Sequence, residues 1–151
     1  MSVSKPSSGE RVVVGVDGSK GARAALAWAV NEARLRGATL DVIFAWADIG
    51  LRIARQGDWA KAVTSQMEEE AAKDLVEEEL AAVMGDGGQP EINITTGPGE
   101  GAEALIAASG DADLLVVGSR GTGGFQGLLL GSASHKCIQH ARCPVVVIPA
   151  H

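Results

Sequence analysis

The sequence predicts an α/β fold, an open parallel sheet of five strands with helices on both faces. Two observations predict it. Short apolar runs alternate with longer stretches of helical character, in the order β-α-β-α-β-α-β-α-β, and this alternation builds parallel sheets through helical crossovers. The run Asp113-Leu114-Leu115-Val116-Val117 is apolar after its first residue, as in a strand buried on both faces. A third observation points to a ligand. The same run leads into Gly118-Ser119-Arg120-Gly121, and nine residues later Gly131-Ser132 opens another helical stretch.

Each element has its own signal. Arg11 to Val16 is a β-branched first strand that ends in Asp17-Gly18-Ser19. Ala22 to Gly37 is rich in Ala and Leu, with Leu26, Val30 and Leu35 at near-helical spacing, and Gly37 ends it. Thr39 to Trp46 is the second strand, and Asp48 to Asp58 reads as an irregular connector. Trp59, Val63, Met67, Ala71 and Leu75 recur every four residues and predict a long helix reaching Met84, with Glu68, Glu69, Asp74, Glu77 and Glu78 opposite. Gly85-Asp86-Gly87-Gly88 breaks that helix. Glu91 to Thr96 is the third strand, and Gly97-Pro98-Gly99 separates it from a helix over Glu100 to Ser109. Asp113 to Gly118 is the fourth strand. Ser132 caps a last helix running to Arg142, and Val145 to Ile148 is the fifth strand.

Composition narrows the function. A length of 151 residues suits one domain, expected over residues 10–151 behind a flexible tail at 1–9. The formal net charge of −6 argues against non-specific nucleic-acid binding. No apolar run approaches the roughly 18 residues of a membrane span. Residues 1–9 lack the apolar centre of a secretory signal, so a cytoplasmic location is the default expectation. Cys137 and Cys143, with His135 and His140 nearby, form neither a disulfide framework nor the set of about four closely spaced ligands that zinc requires. They read as a helix-face thiol and a strand-entry thiol. His135 has no acidic orienting partner by spacing, which favours a structural role.

A glycine-rich loop that leaves a strand end and returns at a helix N-terminus suits phosphate. Glycines let backbone approach the anion, free N–H groups point at it, and the helix dipole favours its charge. The spacing Gly-x2-Gly-x9-Gly-Ser resembles the nucleotide-binding signature of the universal stress protein family, in its ATP-binding branch. Val12-Val13-Val14-Gly15-Val16-Asp17-Gly18-Ser19 is similar to that family's first strand and acidic turn, and Cys143-Pro144-Val145-Val146-Val147-Ile148-Pro149 to its last strand. Residues 1–9 and 49–59 have no clear counterpart.

The resemblance implies a Rossmann-like, adenine nucleotide alpha hydrolase-like sheet of order 3-2-1-4-5. Strands 1 and 4 are then neighbours, and ligands of open α/β sheets bind beyond the C-terminal strand ends at that switch point. It further implies ATP as ligand, with Mg²⁺ on the phosphates, and a nucleotide-dependent stress-response or signalling role. Gly118, Gly121, Gly131 and Ser132 match the signature directly, and Ala133 and Ser134 follow by adjacency. Gly15 and Val16 would form the pocket floor and Val117 its border, with Ala45 and Trp46 beside the adenine. Trp46 either stacks on the base or belongs to the core. Asp17 accepts hydrogen bonds from ribose or adenine, or forms an Asx turn or helix cap. One side chain can serve both ends. Arg120 either neutralises a phosphate or is a solvated cation. The last strand, Val145 to Ile148, implies a homodimer by pairing across a two-fold axis, unless a helix or the tail covers that edge.

Several chemistries lack their motifs. There is no G-x-x-x-x-G-K-[ST], no G-x-G-x-x-G after the first strand and no G-x-S-x-G elbow. A phosphoacceptor receiver needs an acidic pair where Val16-Asp17-Gly18 has one acid, and no His-x-Gly-His element marks a nucleotidyltransferase. Phosphoryl transfer needs metal-holding carboxylates and a positioned nucleophile, so no residue is assigned a catalytic role. A slow Mg-dependent ATPase centred on Asp17 and an AMP or cyclic AMP binder are the alternatives. A protein that works through its surface with the loop empty is another.

Overall fold

Val12, Val13 and Val14 are wholly buried because β1 (Arg11–Gly15) lies at the centre of the sheet, where both faces are covered. The computed structural model describes residues 9–17, 19–45, 65–85, 88–97, 101–119 and 132–149. The other strands are β2 (Thr39–Ala45), β3 (Ile92–Gly97), β4 (Leu114–Gly118) and β5 (Val145–Ile148). All neighbouring pairs are parallel and the order is β3-β2-β1-β4-β5, as the family resemblance implies. Val12 pairs with Leu40 on one side and Leu114 on the other.

Among the described residues four helices clothe the sheet. α1 (Lys20–Arg36) and α2 (Ser65–Val83) cover one face, where Val12, Val14, Val42 and Val116 meet Leu26, Val30 and Val76. α3 (Gly101–Ser109) and α4 (Ser132–His140) cover the other, where Val13, Ile43, Leu115 and Val117 meet Leu105 and Cys137. The two sets alternate along β1 because successive strand side chains point to opposite faces. α1 lies close to the sheet through a seam of small residues, Ala22, Ala25, Ala29 and Ala33, all buried.

Several expected details shift. α1 begins at Lys20 rather than Ala22, with Ser19 as its cap and Gly37 in the left-handed conformation closing its C-terminus. Leu35, read as part of its apolar stripe, is 74% exposed. Among the described residues of α2, Ala72, Val76, Glu79 and Leu80 are buried, while Ala71 faces solvent. The buried stripe of Ala72, Val76 and Leu80 keeps the predicted step of four but lies one residue later than the predicted one. α4 stops at His140, two residues short of the expected Arg142. Trp59, Val63 and the 48–58 connector lie outside the described residues, as do residues 1–8 of the expected tail.

Two buried carboxylates have cationic partners. Glu79 of α2 accepts from Arg23 Nε of α1 at 2.5 Å. Asp41 of β2 accepts from Arg11 Nε and, at 3.1 Å, from Asn93 Nδ2. Partners of this kind are what make a buried carboxylate tolerable.

Candidate functional site

The candidate site is the ground beyond the C-terminal ends of β1 and β4. Val14 pairs with Val116, so Gly15-Val16-Asp17 and Gly118-Ser119 leave the sheet side by side. Val16 N–H donates to the Ile43 carbonyl at 2.9 Å, which carries the β1–β2 pairing one residue past the strand. Asp17 then turns the chain. Its Oδ1 accepts from the Ser19 N–H at 2.9 Å, and Ser19 Oγ accepts from the Ala22 N–H at 3.1 Å. Asp17 thus makes the Asx turn and Ser19 makes the cap, so only four residues separate the end of β1 from the start of α1.

Gly118 is a junction. A β carbon there would stand 2.8 Å from the carbonyl carbon and oxygen of Gly21 and 3.2 Å from the Ala22 nitrogen. Backbone cannot yield as a side-chain tip can, so the first turn of α1 and the end of β4 require glycine here. Ser119 N–H donates to the Ile148 carbonyl at 2.8 Å, fastening the same spot to β5. From the other side the Ser134 hydroxyl, in the first turn of α4, donates to the Gly118 carbonyl. Val117 is buried in the second core cluster just before the junction.

The fold therefore brings Gly15, Val16, Asp17, Val117, Gly118 and the start of α4 (Ser132, Ala133, Ser134) to one end of the sheet. Ala45 ends β2 opposite Gly97, one strand further out. Trp46, Arg120, Gly121 and Gly131 lie outside the described residues. Sequence reasoning missed Gly21 and Ser19. The signal for Ser19 was present, a serine just ahead of an alanine-rich helix. Gly21 carries no turn signal, because its reason is contact with a residue far away in the chain.

The described ends of β1 and β4 meet the N-termini of α1 and α4, and aligned peptide dipoles place partial positive charge at each. The two cysteine thiols are not candidates for nucleophilic chemistry. Burial pushes Cys137 up to about 11. Cys143 is raised by burial and then by the charge of Asp113. Both stay protonated near neutral pH and are poor nucleophiles. Among the described residues no three His, Cys, Asp or Glu side chains gather as a metal site, and no helix is long and apolar enough to cross a membrane.

Relatives share this architecture. The universal stress protein Rv2623 of Mycobacterium tuberculosis is 36% identical over 136 residues, covering 90% of this chain and 44% of its own length. The chain thus spans a little under half of that curated relative. UspA of Lactobacillus plantarum superposes with a TM-score of 0.72 at 23% identity, over 92% of this chain and 97% of that one. A universal stress protein in complex with cAMP gives 0.62 at 24% identity, over 94% and 98%. The universal stress protein of Archaeoglobus fulgidus in complex with dAMP gives 0.62 at 24% identity, over 92% and 97%. The structural likenesses are likenesses of fold. The family model of universal stress proteins matches residues 9–149, and the chain belongs to the universal stress protein family.

Proposed function

We propose that this chain binds an adenine nucleotide at the junction of β1, β4 and α4, that ATP is its ligand, and that it acts as a nucleotide-dependent signalling module. One observation carries the reading. The segment with the Gly-x2-Gly-x9-Gly-Ser spacing leaves the sheet at Gly118 and returns at α4, whose first turn is tied to Gly118 by Ser134. The two ends of the glycine loop are therefore held together beside the acidic turn of Asp17, at the switch point where open α/β sheets take ligands. The complexes of fold neighbours with cAMP and dAMP support an adenine nucleotide. In this reading Gly118, Gly121, Gly131, Ser132 and Ala133 surround the phosphates, with Arg120 beside them and Mg²⁺ on the polyphosphate. Asp17 faces the ribose or adenine. Gly15, Val16, Ala45, Trp46 and Val117 border the base and sugar.

ATP is favoured over AMP by the length of the loop, whose nine residues between Gly121 and Gly131 suit a chain of phosphates. Ordering of that loop by the nucleotide would bias a conformational equilibrium that a partner senses. A second copy of the chain, paired through Val145, Val146, Val147 and Ile148, is the partner proposed. Calorimetric titration with ATP, AMP and cyclic AMP tests the reading. Saturable binding with ATP the tightest supports it, and absence of binding by all three refutes it.

A further inference from the structure

We propose that Ser134 is a positioning residue that clamps the two ends of the glycine loop and so presets the phosphate site. The inference rests on the nucleotide-binding reading above. Ser134 is 3% exposed, while Ala133, His135 and Lys136 around it face solvent. A serine hydroxyl has one proton to donate, and that proton goes to the carbonyl of Gly118, sixteen positions earlier in the chain. The bond therefore spans the loop and points into the sheet. The Gly118 end is fixed independently, by backbone packing on Gly21 and by the Ser119 N–H bond to Ile148 at 2.8 Å. Ser134 transmits that fixed position to the first turn of α4, whose N–H groups are the anion donors of the proposed site. Fixing the first turn of α4 against Gly118 before the ligand arrives removes part of the positioning cost of binding.

A clamp of this kind acts on the phosphates and leaves the base and sugar contacts alone. The test is calorimetric titration of the wild type and Ser134→Ala with ATP, AMP and adenosine, with circular dichroism to establish that the variant is folded. The expected result is an about tenfold loss of affinity for ATP and AMP, the scale of one lost hydrogen bond, with adenosine affinity unchanged. Ser134→Cys, which fills the same space with a much weaker donor, carries the same expectation and replaces the alanine variant if that one does not fold. Equal affinity of wild type and variant for ATP overturns the clamp. A loss shared equally by adenosine and the nucleotides also overturns it, since general loosening of the fold would do that. A wild type that binds none of the three refutes the nucleotide reading and the clamp with it, whereas a wild type that binds ATP separates the two.

Discussion

Gly118 and Gly21 meet backbone to backbone: a β carbon on Gly118 would lie 2.8 Å from the carbonyl carbon and oxygen of Gly21. This contact sets how closely the first turn of α1 approaches the end of β4. Neither glycine is needed for a positive φ, since among the described residues only Gly9 and Gly37 have one. The glycine that opens the loop is thus an architectural requirement before it is a ligand contact.

Gly118→Ala should therefore destabilise the fold in the absence of any ligand. The overpacking is against backbone, which places the cost at about 1–3 kcal/mol. Thermal denaturation of the ligand-free protein reads it as a lower midpoint. A midpoint equal to that of the wild type would show that α1 and β4 can separate freely.

The Arg23–Glu79 pair joins α1 to α2, with the Glu79 side chain 4% exposed and the Arg23 side chain 54% exposed. The Arg23 guanidinium is held above its ordinary value, first by its hydrogen bond to Glu79 and then by that carboxylate's charge. Removing the arginine strands a buried charge, whereas removing both groups does not. Arg23→Ala is expected to lower the denaturant midpoint, and adding Glu79→Leu to recover most of the loss. A double variant as unstable as the single one would contradict the account.

Cys137 gives a pH dependence on the alkaline side. A cysteine thiol in the unfolded chain ionises near 9.0, and in the fold Cys137 keeps its proton to about 11. Below the lower value both states are protonated and the contribution is fully present. Between the two values the unfolded state loses its proton first, so stability falls as pH rises. The chain has no tyrosine, which keeps that window clear of phenol titration. The melting temperature of the wild type should drop more steeply from pH 9 to 11 than that of Cys137→Ala. Parallel curves would show that the buried thiol is not linked to folding.

The proposed homodimer can be tested at the outer edge of β5. Leu115 N–H donates to the Pro144 carbonyl and Ser119 N–H to the Ile148 carbonyl, so by strand alternation the peptide groups of Val145 and Val147 turn away from β4. Val147→Pro removes an outward N–H, a position where edge strands tolerate proline. The expected outcome is a monomer by sizing chromatography with an unchanged circular dichroism spectrum. A dimer that survives places the interface elsewhere.

Much of this architecture was legible in the sequence. β1 and β4 are continuous apolar runs because both faces of each are covered, and that is a local signal. Position 118 could be picked from its glycine spacing alone. The direction of the Ser134 hydroxyl could not, because its acceptor is set by how α4 seats on the sheet. The buried face of α2 was displaced by one residue from the apparent period, and Glu79 was lost among its acidic neighbours. Only Arg23, 56 positions away, distinguishes Glu79 from Glu78. Ala-rich contacts such as Ala25 and Ala29 are likewise silent in sequence, since alanine favours helix whether buried or exposed.

Calorimetric titration of the purified wild type with ATP, after removal and mass-spectrometric identification of any carried nucleotide, tests the central claim most directly. The account predicts that ATP binds saturably and more tightly than AMP or cyclic AMP. Failure of all three to bind, with no nucleotide released from the purified protein, would contradict it.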